Sequence, residues 1–304
     1  MRRGRLLTIG SFDGVHLGHS ALLERTVLEA KKRQLKPTAL TFRLPPRMVL
    51  HPERKISFLT NEQEKEILIR QKGINEVITL EFNRNYSHIR PFLFFRDVLI
   101  RTYKAKGLVV GLDFRFGLNR SAGASELVRW GLEYEIPVWV ISPVTLKRKI
   151  VSSTLIREKM DQNRLKEASQ YLGHPYLIQG KVVKGRSLGK KLGFPTANLQ
   201  CSESKILPLG VYAVMGRIQR SKKILKGVCN IGVRPSFLAK SPVTMEVHWF
   251  GKTLNLTGKG LLVELHHRIR SEKKFSGQGG LQRQIRKDIE IAKAFLKKRP
   301  VMSI

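Results

Sequence analysis

What most limits how this chain can fold is a change of rhythm near residue 173. Before it, short apolar runs alternate with helical periodicity; after it, strand-like runs follow one another. In the first half an apolar run at 6–9 ends at Gly10, Leu23, Val27 and Ala30 share one helical face, and 37–42 reads as the next strand. A helix is expected from Thr60, where Gln63 has capping-box spacing, to Gly73. A strand at 77–82 follows, then a helix face of Phe92, Phe95, Val98 and Leu99 behind Pro91, a strand at 108–110, a helix at 124–133 and a strand at 138–141. That order implies an α/β domain with a parallel sheet and helices on both faces. Ligands bind such sheets at the carboxyl ends of the strands, which directs attention to the loops after Ile9 and Val110. In the second half, strands are expected at 177–183, 211–218, 225–231, 243–250 and 261–267, with a helix only at 278–296. Antiparallel strands separated by Gly, Pro and Ser point to a β-barrel with a terminal helix. A helix over 154–172 precedes the join, giving expected domains 1–172 and 173–304.

The 304 residues, 41% hydrophobic, are enough for two separate cores. No apolar run approaches the roughly 18 residues of a membrane span. The basic start is followed by only four apolar residues, too few for a signal peptide, so a cytoplasmic protein is expected. Cys201 and Cys229 lie 28 apart, which gives neither a disulfide framework nor a zinc site. Lys and Arg number 57 against 23 acidic residues, a formal charge of +34. The excess raises nucleic acid, an anionic membrane surface or polyanionic small substrates as partners. It is spread over both halves: residues 1–172 hold 31 basic and 17 acidic residues, and 173–304 hold 26 and 6. A diffuse basic surface of that kind disfavours a nucleic-acid docking stripe.

Chemistry first becomes visible in Gly10-Ser-Phe-Asp-Gly-Val-His-Leu-Gly-His19, between the first strand and the first helix. His16 and His19 share a face at a helix N-terminus, where free N–H groups and the helix dipole already favour phosphate. Gly10, Gly14 and Gly18 let the backbone approach a ligand. Two imidazoles there can stabilise the charge that builds in phosphoryl or nucleotidyl transfer. The plainer alternative is a glycine turn with two surface histidines; a metal site lacks a third ligand at suitable spacing. Ser153, Thr154 and Arg157, hydroxyls at a helix start with an arginine one turn on, form a second anion-binding pattern, or simply a capped helix.

The loop of Gly180-Lys-Val-Val-Lys-Gly-Arg-Ser-Leu-Gly-Lys-Lys-Leu-Gly-Phe-Pro-Thr-Ala-Asn198 could wrap a polyphosphate through its backbone, with Gly185, Gly189 and Gly193 at the turns. Thr196 and Asn198 are oxygen donors suited to a Mg²⁺ that keeps several waters. In the strand 243–250, Val243, Met245, Val247 and Trp249 face one way and Glu246 and His248 the other. With only six acidic residues in this half, Glu246 is the best candidate for a general base.

These residues resemble one family, the bacterial bifunctional riboflavin kinase/FMN adenylyltransferase, or FAD synthetase. The resemblance lies in Gly10 to His19, Val110-Gly-Leu-Asp-Phe-Arg-Phe-Gly117, Val151-Ser-Ser-Thr-Leu-Ile-Arg157, the Gly180–Asn198 loop, Gly210-Val-Tyr212, Asn230-Ile-Gly-Val-Arg-Pro-Ser236, Glu246-Val-His248 and Arg270-Ser-Glu-Lys-Lys-Phe275. It differs from the family pattern at Leu44-Pro45-Pro46, where Pro-His-Pro is common, at Lys190 in place of Arg, and at Asn255-Leu-Thr-Gly258. The resemblance implies a Rossmann-like nucleotidyltransferase domain followed by a kinase barrel. It also implies that the chain phosphorylates riboflavin to FMN and then adenylylates FMN to FAD, with ATP, riboflavin and FMN as substrates and Mg²⁺ as cofactor. It makes Glu246, His16, His19 and Arg157 catalytic. Gly10, Phe12, Gly14, Gly18, Asp113, Ser153, Thr154, Gly185, Gly189, Lys190, Gly193, Tyr212 and Asn230 become contacts for nucleotide or phosphate, Arg270, Glu272 and Phe275 for flavin, and Thr196 and Asn198 for the metal. The alternatives are a chain with one working half and a basic nucleic-acid-binding protein on the same scaffold.

Overall fold

The computed structural model describes residues 4–51, 53, 57–185, 189, 192–219, 221–233, 243–251, 255–273, 275–298 and 301–302. It divides into two compact units, one made of the chain up to Ser57 with Lys65–Ser153, the other of Phe58–Glu64 with everything from Thr154.

In the first unit, strands β1 (Arg5–Ile9), β2 (Lys36–Phe42), β3 (Glu76–Leu80), β4 (Ala105–Gly111) and β5 (Val138–Ile141) form one sheet in the order β3-β2-β1-β4-β5. All four pairings are parallel, with Thr8 opposite Ala39 on one side and Val109 on the other. The central strands are continuous apolar runs because both faces are covered. Leu6 and Val109 meet Ala30 of the helix Leu17–Lys32. Leu7, Ile9, Leu108 and Val110 meet Phe95, Leu99, Leu127 and Trp130 on the other face. The chain leaves β1 toward β3 and returns to β4 on the opposite side, so the strand order reverses at β1 and opens a crevice at its carboxyl end.

The expected helix behind Pro91 is one α-turn, Pro91–Leu93, that widens into a π-helix, Phe94–Thr102. Its first two residues, Phe94 and Phe95, are both buried. The next expected helix matches, Ala124–Glu133. The one expected from Thr60 begins instead at Glu62. Asn61 caps it: its Oδ1 accepts from the Glu64 N–H at 2.8 Å and its own N–H donates to Glu64 Oε2 at 2.9 Å, a reciprocal box one residue beyond the expected one.

In the second unit, β6 (Tyr176–Val183), β7 (Ala197–Cys201), β8 (Gly210–Ile218), β9 (Ile224–Val233), β10 (Val243–Trp249) and β11 (Gly260–Arg270) close a six-stranded antiparallel barrel in the order β6-β7-β10-β9-β8-β11. The helix Gln278–Lys297 packs outside it, with Ala292 and Leu296 against Val211, Ala213, Met215 and Val228. β7 was not expected, since Ala-Asn-Leu-Gln-Cys has no β-branched residue. The helix expected over 154–172 is two, Ser153–Asp161 and Leu165–Leu172, because Asn163 turns the chain at φ 57°.

Phe58–Glu64 is held in this unit by a buried ion pair. Lys205 Nζ lies 2.7 Å from Glu64 Oε2, both side chains 0% exposed, and donates also to the carbonyls of Leu59 and Leu177. Glu64 Oε1 accepts from the Gln179 N–H at 2.6 Å, and the ammonium sits 4.1 Å from the Tyr176 ring centre. With both charges fully hydrogen-bonded, losing either partner would leave a bare buried charge, at about 3–5 kcal/mol.

Candidate active sites

The loop after β1 stands at the crevice. Phe12 (φ 48°) and Val15 (φ 40°) both hold left-handed backbone, rare for a β-branched residue, around a turn closed by Val15 N–H to the Phe12 carbonyl at 3.1 Å. The Phe12 ring is buried over Gly10 and meets His19 edge-on at 5.2 Å. His16 caps the helix: its Nδ1 accepts from the His19 N–H at 3.3 Å, so in the neutral ring Nε2 carries the proton. The two imidazoles stack, centres 3.7 Å apart and 17° from parallel. Gly18 makes room for this, since a Cβ there would sit 3.2 Å from the His16 ring.

Burial first, then the neighbouring His16 and Lys65, push the His19 pKa well below its ordinary value, so the ring is neutral at pH 7 although an edge of it remains accessible. His19 Nδ1 is buried without a hydrogen-bond partner among the described residues. Ser153 Oγ donates to the Asp13 carbonyl at 2.9 Å, fixing the 151–153 segment to this loop. Asp113 is exposed in the turn after β4, its Oδ1 against Gly111. Thr154 is exposed and Arg157 half-buried; both count with the second unit.

Sequence reasoning missed a cavity of about 730 Å³ at the carboxyl edge of the same sheet, walled by Phe42, Phe82, Tyr86, Phe94, Phe114 and Phe116, with Arg115 and Arg120 at its margin. Its aromatic residues come from four separated segments, and only the strand order brings them together. The available signal was positional: Phe42 ends β2 and Phe82 lies just beyond β3, where ligands of parallel sheets bind.

On the barrel, Met245 and Val247 alternate with Glu246 and His248 as expected, the first pair buried and the second half-buried. Glu246 lies opposite Asn198 of β7 and Asn230 of β9, so the three polar residues form a row across adjacent strands. The same face carries Val228, which meets the terminal helix, so the row is on the outer wall of the barrel. Thr196 Oγ1 approaches Glu246 Oε2 at 3.5 Å. Gly185 lies flat against the Asn198 amide, where any Cβ would collide, and so holds the glycine loop over the row. Gly189 accepts from the Phe194 N–H at 2.7 Å and packs on Thr196; Gly193 takes positive φ. His248 Nδ1 donates to the Pro195 carbonyl at 2.9 Å, steadying the end of this loop. Lys190 and residues 234–236 lie outside the described residues.

Two assigned residues have different occupations. Tyr212 is 0% exposed within the wall, its hydroxyl donates to the Leu209 carbonyl at 3.0 Å, and burial raises its pKa to about 12. Arg270 clamps the buried Asp288 of the terminal helix, with Nε and Nη2 at 2.8–3.0 Å from its oxygens, and Gln284 adds a bond to the same carboxylate. The Phe275 ring lies 5.8 Å from the Arg270 guanidinium, and Glu272 packs its carboxylate on Gly232.

The family model for FAD synthetase matches residues 1–155, and the one for riboflavin kinase matches 172–296. The chain belongs to the bifunctional riboflavin kinase/FMN adenylyltransferase family. It is 38% identical over 291 residues to the bifunctional riboflavin kinase/FMN adenylyltransferase of Buchnera aphidicola subsp. Schizaphis graminum, covering 95% of this chain and 93% of that protein. It is 34% identical over 294 residues to the protein of the same description from Escherichia coli K12, covering 97% and 93%. A crystal structure described as a macrolide-efflux protein from Streptococcus pneumoniae superimposes with a TM-score of 0.84 at 28% identity, over 96% of this chain and 97% of that one. Among the described residues no helix is long and apolar enough to cross a membrane. No group of three His, Cys, Asp or Glu side chains among them is arranged to hold a metal. The oxygen donors of Thr196 and Asn198 beside Glu246 are of the kind that suits a hard cation that keeps several waters.

Proposed function

We propose that this chain makes FAD in two steps, the barrel domain (173–304) phosphorylating riboflavin and the α/β domain (1–172) adenylylating the product. The observation that supports this most is that each unit carries its own polar cluster of a kind that suits phosphate: stacked histidines at a helix start in the one, which also holds the aromatic cavity, and an Asn–Glu–Asn row against Gly185 in the other.

In the kinase step Glu246 takes the proton from the terminal ribityl hydroxyl of riboflavin. The oxygen attacks the γ-phosphorus of ATP, the bond to the β-phosphate oxygen breaks, and FMN and ADP result. Thr196 and Asn198 would hold Mg²⁺, which neutralises charge on the nucleotide phosphates. Gly185, Gly189 and Gly193 would enclose those phosphates, the resemblance assigns Lys190 to them as well, and Asn230 completes the polar row. Glu272 and Phe275 face the flavin; Arg270 acts through its clamp on the helix, and Tyr212 through the backbone of Leu209.

In the second step a phosphate oxygen of FMN, already anionic and needing no base, attacks the α-phosphorus of ATP, and pyrophosphate leaves as the bond to the β-phosphate breaks. His16, through Nε2–H, and neutral His19 donate to the oxygens where charge builds. Gly10, Phe12, Gly14 and Gly18 shape the loop that admits the nucleotide, and by the resemblance Asp113, Ser153, Thr154 and Arg157 are nucleotide or phosphate contacts. The aromatic cavity takes the isoalloxazine ring. A cytoplasmic location fits a protein whose substrates are ATP and free flavins.

The test is purified protein with riboflavin, ATP and Mg²⁺, products separated by chromatography. FAD is the expected product. FMN alone would leave only the kinase step standing, and no new flavin would refute both.

A further inference from the structure

Five phenylalanines and Tyr86 around the cavity of the α/β unit offer stacking surface to almost any flat heteroaromatic. Stacking alone does not choose among such molecules; choice needs polar groups that match the ligand's edge. Several polar side chains along this cavity already have partners. Ser87 Oγ and His88 Nδ1 both donate to the Arg84 carbonyl at 2.6 Å. His51 lies 3.5 Å from the carboxylate of Glu53. Arg115 folds over Gly123 on the facing strand, its Nη1 2.5 Å from where a Cβ would sit. That leaves Arg84, on an exposed helical turn, with Asn119 and Arg120; the side chains of these three make no hydrogen bond or ion pair among the described residues.

The backbone singles out two of the three. Asn119 (φ 53°) and Arg120 (φ 56°) are consecutive residues in left-handed conformation. Asparagine tolerates that conformation; arginine gains nothing from it, and glycine would be the relaxed choice. The turn is held from outside as well as within. Gly117, at φ 74°, lies flat against Pro91 where any Cβ would collide, and the Leu118 N–H donates to the Ile89 carbonyl at 3.0 Å. Ser121 Oγ donates to the Leu118 carbonyl at 2.7 Å, and the Arg120 N–H to the Gly117 carbonyl at 2.9 Å. Strain of this kind persists where the surrounding structure enforces it, and it gathers at ligand sites. Lys147 and Arg148 are the other consecutive non-glycine pair at positive φ among the described residues, and they do not line the cavity.

An isoalloxazine ring has one strongly polar edge, the pyrimidine side, where N3–H lies between two carbonyls and N1 accepts. A carboxamide both donates and accepts, so it pairs with N3–H and an adjacent carbonyl; a guanidinium only donates, and suits N1 and the C2 carbonyl. Resting on the two-step reading, in which this cavity takes the flavin, we infer that Asn119 and Arg120 are specificity-determining residues of FMN adenylylation that hold the pyrimidine edge of the isoalloxazine.

The experiment uses the full chain and compares wild type with Asn119→Gly and Arg120→Gly, measuring riboflavin phosphorylation, FAD formation from supplied FMN, and Tm. Glycine suits both backbone positions, so each side chain is removed without adding strain. KM for FMN is expected to rise about tenfold in each variant, a modest effect because both residues are exposed to water at the margin. KM for ATP and riboflavin phosphorylation should stay within about twofold, and Tm should hold or rise. FMN methylated at N3 probes the edge itself. Wild type should use it at least about tenfold less well than FMN in kcat/KM, and Asn119→Gly should discriminate by less than about threefold. The inference is overturned by a KM for FMN within about threefold of wild type in either variant, by wild type that uses the methylated FMN as well as FMN, or by undiminished discrimination in Asn119→Gly. A fall in Tm with loss of both activities would also overturn it, marking a role in folding alone. Wild type that makes no FAD from FMN would instead overturn the adenylylation reading itself.

Discussion

His16 does three things with one side chain: its Nδ1 closes the helix cap, its ring supports His19, and its Nε2–H remains directed away from the cap. Sequence proximity explains why the place of this loop, between strand and helix, was readable in advance. Every member of the loop lies within ten residues, and a glycine-bounded turn between strand and helix leaves few places for them to go. What the spacing could not convey is that Phe12 and Val15 are held at positive φ, or that burial would make His19 neutral. Replacing His16 with Ala should lower FAD formation from FMN by about 100-fold while riboflavin phosphorylation stays near wild type. Glu246→Gln should do the reverse, since a neutral amide cannot accept the ribityl proton. Product analysis of the two half-reactions measures both, and loss of both activities in either variant would show that the roles are wrongly assigned.

Among the elements, the strands of the sheet are joined at their amino ends by charge as well as by the backbone ladder. Glu76 of β3 receives Arg5 of β1 at 2.6 Å and Lys36 of β2 at 3.0 Å. The hydrogen bond from Arg5 is the main reason its pKa falls from 4.5 to about 2, with Lys36 adding to the effect against partial burial. The folded-state value lies below the unfolded one, so the stabilisation is complete above pH 4.5 and is lost as pH falls from there toward 2. Allowing for solvent screening at a partly exposed site, it amounts to on the order of 2 kcal/mol. Glu76→Gln should accordingly lower Tm at pH 7 and flatten the acid loss of stability below pH 4.5; thermal melts across that range that parallel wild type would contradict this. β7 teaches the complementary point. Its residues carry no strand propensity, and it exists because the barrel needs a partner between β6 and β10. That pairing is what sets Asn198 beside Glu246.

For the whole molecule, two chemistries on one chain need not be performed by the same copy. A mixture of His16→Ala and Glu246→Gln should convert riboflavin to FAD although neither variant does so alone, because FMN released by the first is substrate for the second. No FAD from the mixture, with each variant still competent in its remaining half-reaction, would show that FMN does not pass through solution. The +34 charge has a modest part at this scale: ATP, FMN, FAD and pyrophosphate are anions, and a positive surface raises their local concentration. Most of the 57 basic residues are assigned to neither site.

Most of the strands and helices, the division into an α/β half and a barrel half, and the place of both glycine loops were legible in the sequence alone, because periodicity, glycine turns and helix caps act between residues close in the chain, whereas β7 and the break at Asn163 were not. The aromatic cavity, the Asn198–Glu246–Asn230 row and the π-helix were decided only by tertiary structure. Each depends on which strands become neighbours, and strand pairing is selected by burial over the whole sheet or barrel, which no local run of residues encodes.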